Sequence, residues 1–484
     1  MKHTPVWGAV VHFAPVNDFH LLGGALGVKE FIDFLNGLSS FLWGPVMLVL
    51  LVGTGLYLTL GLHFFSFRNW LPAYKCLWEG RKDKSTEGEI SPWNALMTAL
   101  AADIGTGNIV GVATAIAIGG PGALFWMWVT ALVGMMTKFS EVLLSVHFRE
   151  KTPAGNWVGG AMYFIKNGLS QNWRWLATAF AIFGMIACFG IGCMVQANSI
   201  SVNLNKSFSI PTWVSAILLF LLAGIVLLGG IKRVGQVAGR LVPYMALAYV
   251  GMCLLIIIMN ITSVPHVFWM ILSDAFTPTA AEGGFVGASV MLAIQMGMAR
   301  GIFSNEAGLG SAPMAHAAST AESPLVQASI GMLDVFIDTI IICSMTGFAI
   351  LISTTDQGTA LWSSGISGGT LTAAAFKQNL SSLGEYGVTI CLALFAFTTG
   401  LGWCVYGERC VIYLFGDSAQ KIFRVVFVVA FGLGAVLALD VVWLFADIAN
   451  ALMAFPNIIG ILLLSPVLFK IVQEECSRDS RFTL

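Results

Sequence analysis

The chain has 484 residues, of which 57% are hydrophobic and only 10% charged, with a formal net charge of −1. That balance is far from soluble globular composition and describes a polytopic helical membrane protein. Near-zero net charge without a Lys/Arg run excludes nucleic acid as a partner, and no G-x-x-x-x-G-K-[ST] phosphate loop is present to drive an ATP-powered pump.

Residues 1–40 hold a short apolar patch, 5–16, which is too brief to span and lacks a following small-residue cleavage site, so no signal peptide is expected. About eleven spans follow, taking ~20 residues per crossing. They centre on 41–62, 94–118, 123–146, 176–202, 213–229, 241–261, 286–311, 326–352, 387–406, 425–439 and 442–471. Between the first two, residues 65–80 set Trp70, Leu71, Tyr74, Leu77 and Trp78 beside Arg68 and Lys75, a pattern for a helix lying in the interface.

The second span is broken in its middle by Asp103, Ile104, Gly105, Thr106, Gly107 and Asn108. Lipid cannot hydrogen-bond backbone, so a helix unwinds at this depth only where protein or a polar cavity satisfies the freed groups. A Gly-rich kink without a ligand is the plain alternative, but an acid and an amide beside the glycines are expensive there and favour function. The seventh span repeats the pattern from Gln295 to Gly310. The two interrupted spans lie five apart and run in opposite directions, as an inverted five-plus-five repeat requires. Span one is then an extra helix. This divides the chain into an N-terminal region with the extra and interfacial helices (1–92), two repeats (93–262 and 286–472) and a tail (473–484).

Other intramembrane polar residues admit more than one role. Gln196 in span four either meets substrate or bonds a neighbouring helix. Lys138 and Glu141, three apart in span three, read as a helix-face pair. Asp334 and Asp338, four apart in span eight, share a face and suit a proton relay or a wetted gate, while Arg300 and Glu306 pair or line a pathway. The nine cysteines form no C-x-x-C pair and read as small buried hydrophobes; the seven histidines are scattered.

Lys and Arg mark one side of the membrane. Arg68, Lys75, Arg81, Lys82 and Lys84 follow span one; Arg149, Lys151, Lys166 and Arg174 follow span three; Lys232, Arg233 and Arg240 follow span five. Arg409, Lys421 and Arg424 follow span nine, and Lys470, Arg478 and Arg481 follow span eleven, against Lys206 and Lys377 opposite. The expected topology is N-terminus outside and C-terminus cytoplasmic, in the cell (inner) membrane.

The run GGPGALFWMWVTALVG at 119–134 closely resembles the sodium:alanine/glycine symporter family, and GTGNIVGVATAI (105–116) with RGIFSNEAGLGSAPMAHA (300–317) resembles its two broken-helix motifs. The resemblance covers nearly the whole chain. It implies a leucine-transporter-like fold and a secondary transporter, not an enzyme, that imports alanine or glycine by symport with sodium through alternating access. Proton coupling and a non-transporting amino-acid sensor are the alternatives. No covalent cofactor is expected; the partners are a small neutral amino acid, sodium or a proton, and the bilayer.

A zwitterion needs partners for both of its charges. The half-helix that starts after the first break offers N–H groups and a positive dipole end to the carboxylate, a role assigned to Thr106, Gly107 and Asn108. Gly107 lets backbone approach closely, with positive φ as an expected reason for glycine there. Carbonyls of Gly297 and Gly301 are expected to take the ammonium, and Trp403 to wall a small pocket. Sodium is a hard cation that wants several oxygens, as calcium and magnesium do. The resemblance to the leucine-transporter fold implies sodium ligands at the adjacent hydroxyls of Thr398 and Thr399, with back-bonding to the preceding turn as their alternative. By resemblance, carbonyls of Ala101 and Ile104 complete the site. Asp103 stands as cation ligand, protonatable group or gate.

Overall fold

In a computed structural model of the chain, the described residues are 26–81, 87–277, 289–354, 358–437 and 440–484. The apolar patch at 5–16 lies outside them, as do Lys82, Lys84, Val286 and Leu439. The described chain is almost wholly helical. α1 (Leu26–Leu42) and α2 (Pro45–Gly61) supply the first span. The expected interfacial segment forms as α3 (Phe65–Arg68) and α4 (Trp70–Glu79). α4 buries Ala73, Cys76 and Leu77 and leaves Leu71, Tyr74 and Trp78 exposed.

α5 (Pro92–Asp103) begins at a sequence-encoded cap: the Ser91 hydroxyl accepts from the Asn94 N–H at 3.2 Å, and Pro92 takes the first turn where its missing N–H costs nothing. Beyond the break a π-helical turn (Gly107–Gly111) runs into α6 (Val112–Gly119), and the two halves are bent by 49°. α7 (Gly122–His147) follows, then a two-residue hairpin pairing Glu150–Lys151 with Trp157–Val158, which the apolar periodicity did not signal. α8 (Ala161–Gly168) leads to α9 (Arg174–Phe189) and α10 (Val195–Phe208), joined through a π turn at Gly190–Met194 as the fourth span. α11 (Thr212–Leu227), α12 (Gly230–Met259) and the shorter α13 (Val264–Asp274) complete the first half.

The second half opens with α14 (Val290–Asn305), capped by Ser289, and continues through the one-turn α15 (Pro313–His316). α16 (Pro324–Val335), a π segment (Phe336–Cys343) and α17 (Ser344–Ile352) make the eighth span. α18 (Gly368–Phe415) kinks at Ser381, and α19 (Gln420–Gly434) and α20 (Asp440–Arg478) close the chain. Each expected span overlaps a helix among the described residues. Among the described residues, seven helices are long and apolar enough to cross a membrane, or eight counting the bent pair. α11, α14 and α19 have 16, 16 and 15 residues. At ~1.5 Å per residue each falls short of a full ~30 Å crossing by itself.

The second break differs from its expected extent. α14 stays helical to Asn305, so only 306–312 is unwound, with Glu306, Gly308 and Gly310 all at positive φ (53°, 94° and 77°). Far from the breaks, the approach to α5 is tied to the segment after α15. The N–H groups of Glu89 and Ile90 donate to the Ala318 carbonyl at 2.7 and 3.1 Å, and Thr320 N–H donates to Ile90 at 2.9 Å. Arg149 spans both strands, donating to the carbonyls of Ala317 (3.0 Å), Ser319 (2.7 Å) and Glu87 (3.0 Å).

Candidate functional site

The two breaks face one another. α5 ends at Asp103; Ile104 is extended (φ −74°, ψ 90°), and Gly105 N–H, which has lost its helical partner, donates to the Asn108 side-chain oxygen at 2.9 Å. The Asn108 amide nitrogen donates to Asp338 Oδ1 at 2.5 Å and lies 3.4 Å from Cys343 Sγ. Asp338 also accepts from Ser304 Oγ (3.2 Å) and Thr339 Oγ1 (2.8 Å), and Asn305 donates to Thr339 at 3.0 Å. Three side-chain donors thus converge on one buried acid. Gln196 donates to Thr106 Oγ1 at 3.4 Å and to the Ile191 carbonyl at 3.0 Å, so the π turn of span four delivers it to the first break.

Thr106, Gly107, Asn108 and Gln196 therefore gather in one place. Gly107 does not have positive φ; the reason for glycine there is close approach, since a Cβ would sit a tight 3.1 Å from Ser304 Cα in α14. Gly297 and Gly301 lie in the unbroken part of α14. A Cβ on Gly297 would run into the Ala123 carbonyl and Trp126, and one on Gly301 would lie 2.5 Å from Thr130 Oγ1, so both serve close packing of α14 on α7. The polar pair at the helix end, Ser304 and Asn305, is what α14 presents to the first break. Sequence spacing had pointed to the glycines, although two polar residues closing an apolar helix were an available signal.

The cation candidates divide similarly. Thr399 Oγ1 donates to the Ile104 carbonyl at 3.4 Å and to Phe395 O at 3.0 Å, and a Cβ on Gly105 would collide with that hydroxyl. Thr398 instead turns to its own helix (Phe395 O, 2.9 Å) and to Met245 Sδ of α12 at 3.6 Å. Ala101 is buried in the last turn of α5. Trp403 is 1% exposed; its indole N–H donates to Glu306 Oε1 at 2.9 Å, at the second break, and its ring base rests on Gly192 of span four.

Three side-chain pairings differ from expectation. Lys138 does not pair with Glu141 along α7. Its ammonium lies between Asp103 (3.0 Å) and Asp334 (3.1 Å), whereas Glu141 accepts from Asn457 (2.5 Å) and Gly310 N–H (3.1 Å). Asp334 and Asp338 act apart, because the helix widens to a π segment at Phe336 and turns them to different partners. Glu306 accepts from Ser311 and Trp403, and the acid electrostatically coupled to Arg300 is Asp447.

The profile described as the sodium:alanine symporter family matches residues 28–479. The chain is 44% identical over 440 residues to the sodium/alanine symporter AgcS of Methanococcus maripaludis, covering 90% of this chain and 96% of that one. It is 49% identical over 441 residues to an uncharacterized transporter of Haemophilus influenzae, covering 90% and 94%. It is 34% identical over 451 residues to the probable sodium/glutamine symporter GlnT of Bacillus subtilis, covering 92% and 91%. Among solved structures, MhsT in complex with L-phenylalanine aligns with a TM-score of 0.51 at 14% identity, over 78% of this chain and 89% of that one, a likeness of fold. That fold is of the leucine-transporter type. With two facing broken helices and likeness along nearly its whole length, the chain belongs to the sodium:alanine symporter family: it is an integral membrane secondary transporter of amino acids and not an enzyme.

Proposed function

We propose that this protein imports a small neutral amino acid, alanine or glycine, together with sodium, by alternating access around the two facing breaks. The observation that carries this reading is the meeting of Ile104, Thr399 and the Gly107 half-helix in one buried place. The carbonyl of Ile104 and the hydroxyl of Thr399 are hard oxygen donors of the kind sodium prefers. The leading N–H groups of the Gly107 half-helix suit the substrate carboxylate, with Thr106, Asn108 and Gln196 around it. In the same reading, residues 93–262 and 286–472 are the two inverted repeats, and the N-terminus lies outside with the C-terminus in the cytoplasm.

The test is uptake of labelled alanine into proteoliposomes with and without a sodium gradient. Alanine binding should tighten as sodium rises, and sodium binding should tighten by the same factor as alanine rises, because linkage is reciprocal. Equal alanine affinity in sodium and choline buffers, with uptake driven only by a pH gradient, moves the coupling ion to protons. Binding without net flux moves the protein to a sensor.

Selectivity follows from Trp403. Small amino acids should enter and leucine or phenylalanine should be refused; glutamine belongs in the panel because a relative is named for it. Trp403→Ala removes a buried indole and a donor to Glu306, a change of the class that costs ~3–5 kcal/mol in a packed core. The expected result is relaxed exclusion of leucine or loss of tight alanine binding. Unchanged selectivity and affinity in the folded variant place Trp403 outside the pocket.

A further inference from the structure

Lys138 has no exposed surface, and nor have the side chains of the two acids that bracket it. Its partners come from different elements. Asp103 is the last residue of α5, immediately before Ile104, and Asp334 lies in α16 just ahead of the π segment. An acid at a helix C-terminus faces the negative end of the helix dipole and gains from a cation beside it. Glu306, which opens the second break, lies in the field of Lys138, Asp103 and Asp334.

The other titratable groups facing Lys138 are Glu141 on its own helix and His316 on α15. Tyr406 of α18 faces the same three acids; it is 1% exposed, and its hydroxyl has no hydrogen-bond partner among the described residues. Acids thus outnumber the single ammonium in a place closed to water. Removing one member of such an array leaves a buried charge uncompensated, which is strongly destabilising.

We infer that Lys138 is a positioning residue for the transported cation: its ammonium is a tethered counter-ion that fixes the end of α5, and with it the Ile104 carbonyl beside Thr399. The inference rests on the sodium-coupled reading of the site. It assigns Asp103 to the lysine, not to the transported ion.

The experiment compares wild type and Lys138→Met in proteoliposomes, following alanine uptake against external sodium at a single pH. Lys138→Met should need at least ~tenfold more sodium for half-maximal uptake, because the end of α5 loses its tether. A lysine that merely held the fold would lower thermal stability and maximal rate but leave sodium half-saturation unchanged. A folded Lys138→Met with wild-type half-saturation overturns the inference.

Should Lys138→Met fail to insert, Lys138→Gln carries the test, because it too removes the ammonium but keeps a polar head between the two acids. It should raise sodium half-saturation at least ~fivefold and change maximal rate less; no shift overturns the inference equally. Wild-type uptake that ignores sodium sinks the coupling reading itself, so the two failures are told apart in one assay.

Discussion

Gly107→Val should insert and fold yet lose alanine uptake by at least ~100-fold, at any sodium concentration. The Cβ alone would meet Ser304 Cα at 3.1 Å and Ser304 Cβ at 3.4 Å, and valine adds two methyl groups to that contact. To fit them α14 must retreat from the first break, or the half-helix must turn away from the place assigned to the substrate carboxylate. Overpacking of this kind costs ~1–3 kcal/mol, and the loss of oriented N–H groups comes on top. Gly55, in the extra first span, is a poor control: a Cβ there would lie 2.8 Å from the Val133 carbonyl of α7. Gly53, on the same helix with nothing within 4 Å of its Cβ position, is the suitable one. Robust uptake by Gly107→Val, measured beside Gly53→Ala, would remove the first break from the substrate path.

Asn108→Ala should have the second large effect, through both ends of one amide. Its oxygen holds Gly105 N–H (2.9 Å) and its nitrogen holds Asp338 (2.5 Å), so alanine leaves a backbone donor and a buried carboxylate each short of a partner. A hydrogen bond to a charged group is worth ~1.5–3 kcal/mol, and an orphaned buried group ~1–3 kcal/mol more. The variant should lose several degrees of thermal stability and most alanine uptake. High sodium should restore part of the uptake if the amide mainly organises the cation. A double-mutant cycle with Asp338→Ala supplies the check: in contact, the two losses fall well short of adding. Strict additivity would mean that Asn108 and Asp338 act independently.

Much of this arrangement was legible before any coordinates. The first break could be placed because lipid leaves unwound backbone no partner, and the acid and amide inside it had to be met by something. Ile104 and Thr399 came from family resemblance, and the structure brings them within 3.4 Å. Thr398, the adjacent hydroxyl, instead bonds Phe395 of its own helix and Met245 of α12. The packing of Gly297 and Gly301 against α7 could not be read from the chain alone, because glycine signals both unwinding and close helix packing, and only the neighbour's identity separates the two. The partner of Lys138 was out of reach for a different reason. Spacing along α7 reports what lies on the same helix, whereas the acids that hold the ammonium arrive 35 residues earlier, at Asp103, and nearly 200 later, at Asp334. Asp334 and Asp338 look like one face until an extra residue per turn rotates them apart.

The backbone pairing between Glu89–Ile90 and Ala318–Thr320, spanned by the three carbonyl contacts of Arg149, bears on how the two broken helices are free to move. Hinges at Ile104 and at Glu306 would by themselves allow two independent swings. Stitched together here, the start of α5 and the segment that leaves α15 should move as one: neither can leave the protein without dragging the other or rupturing half a dozen hydrogen bonds. A linkage of that kind should couple the two local flexures into one displacement.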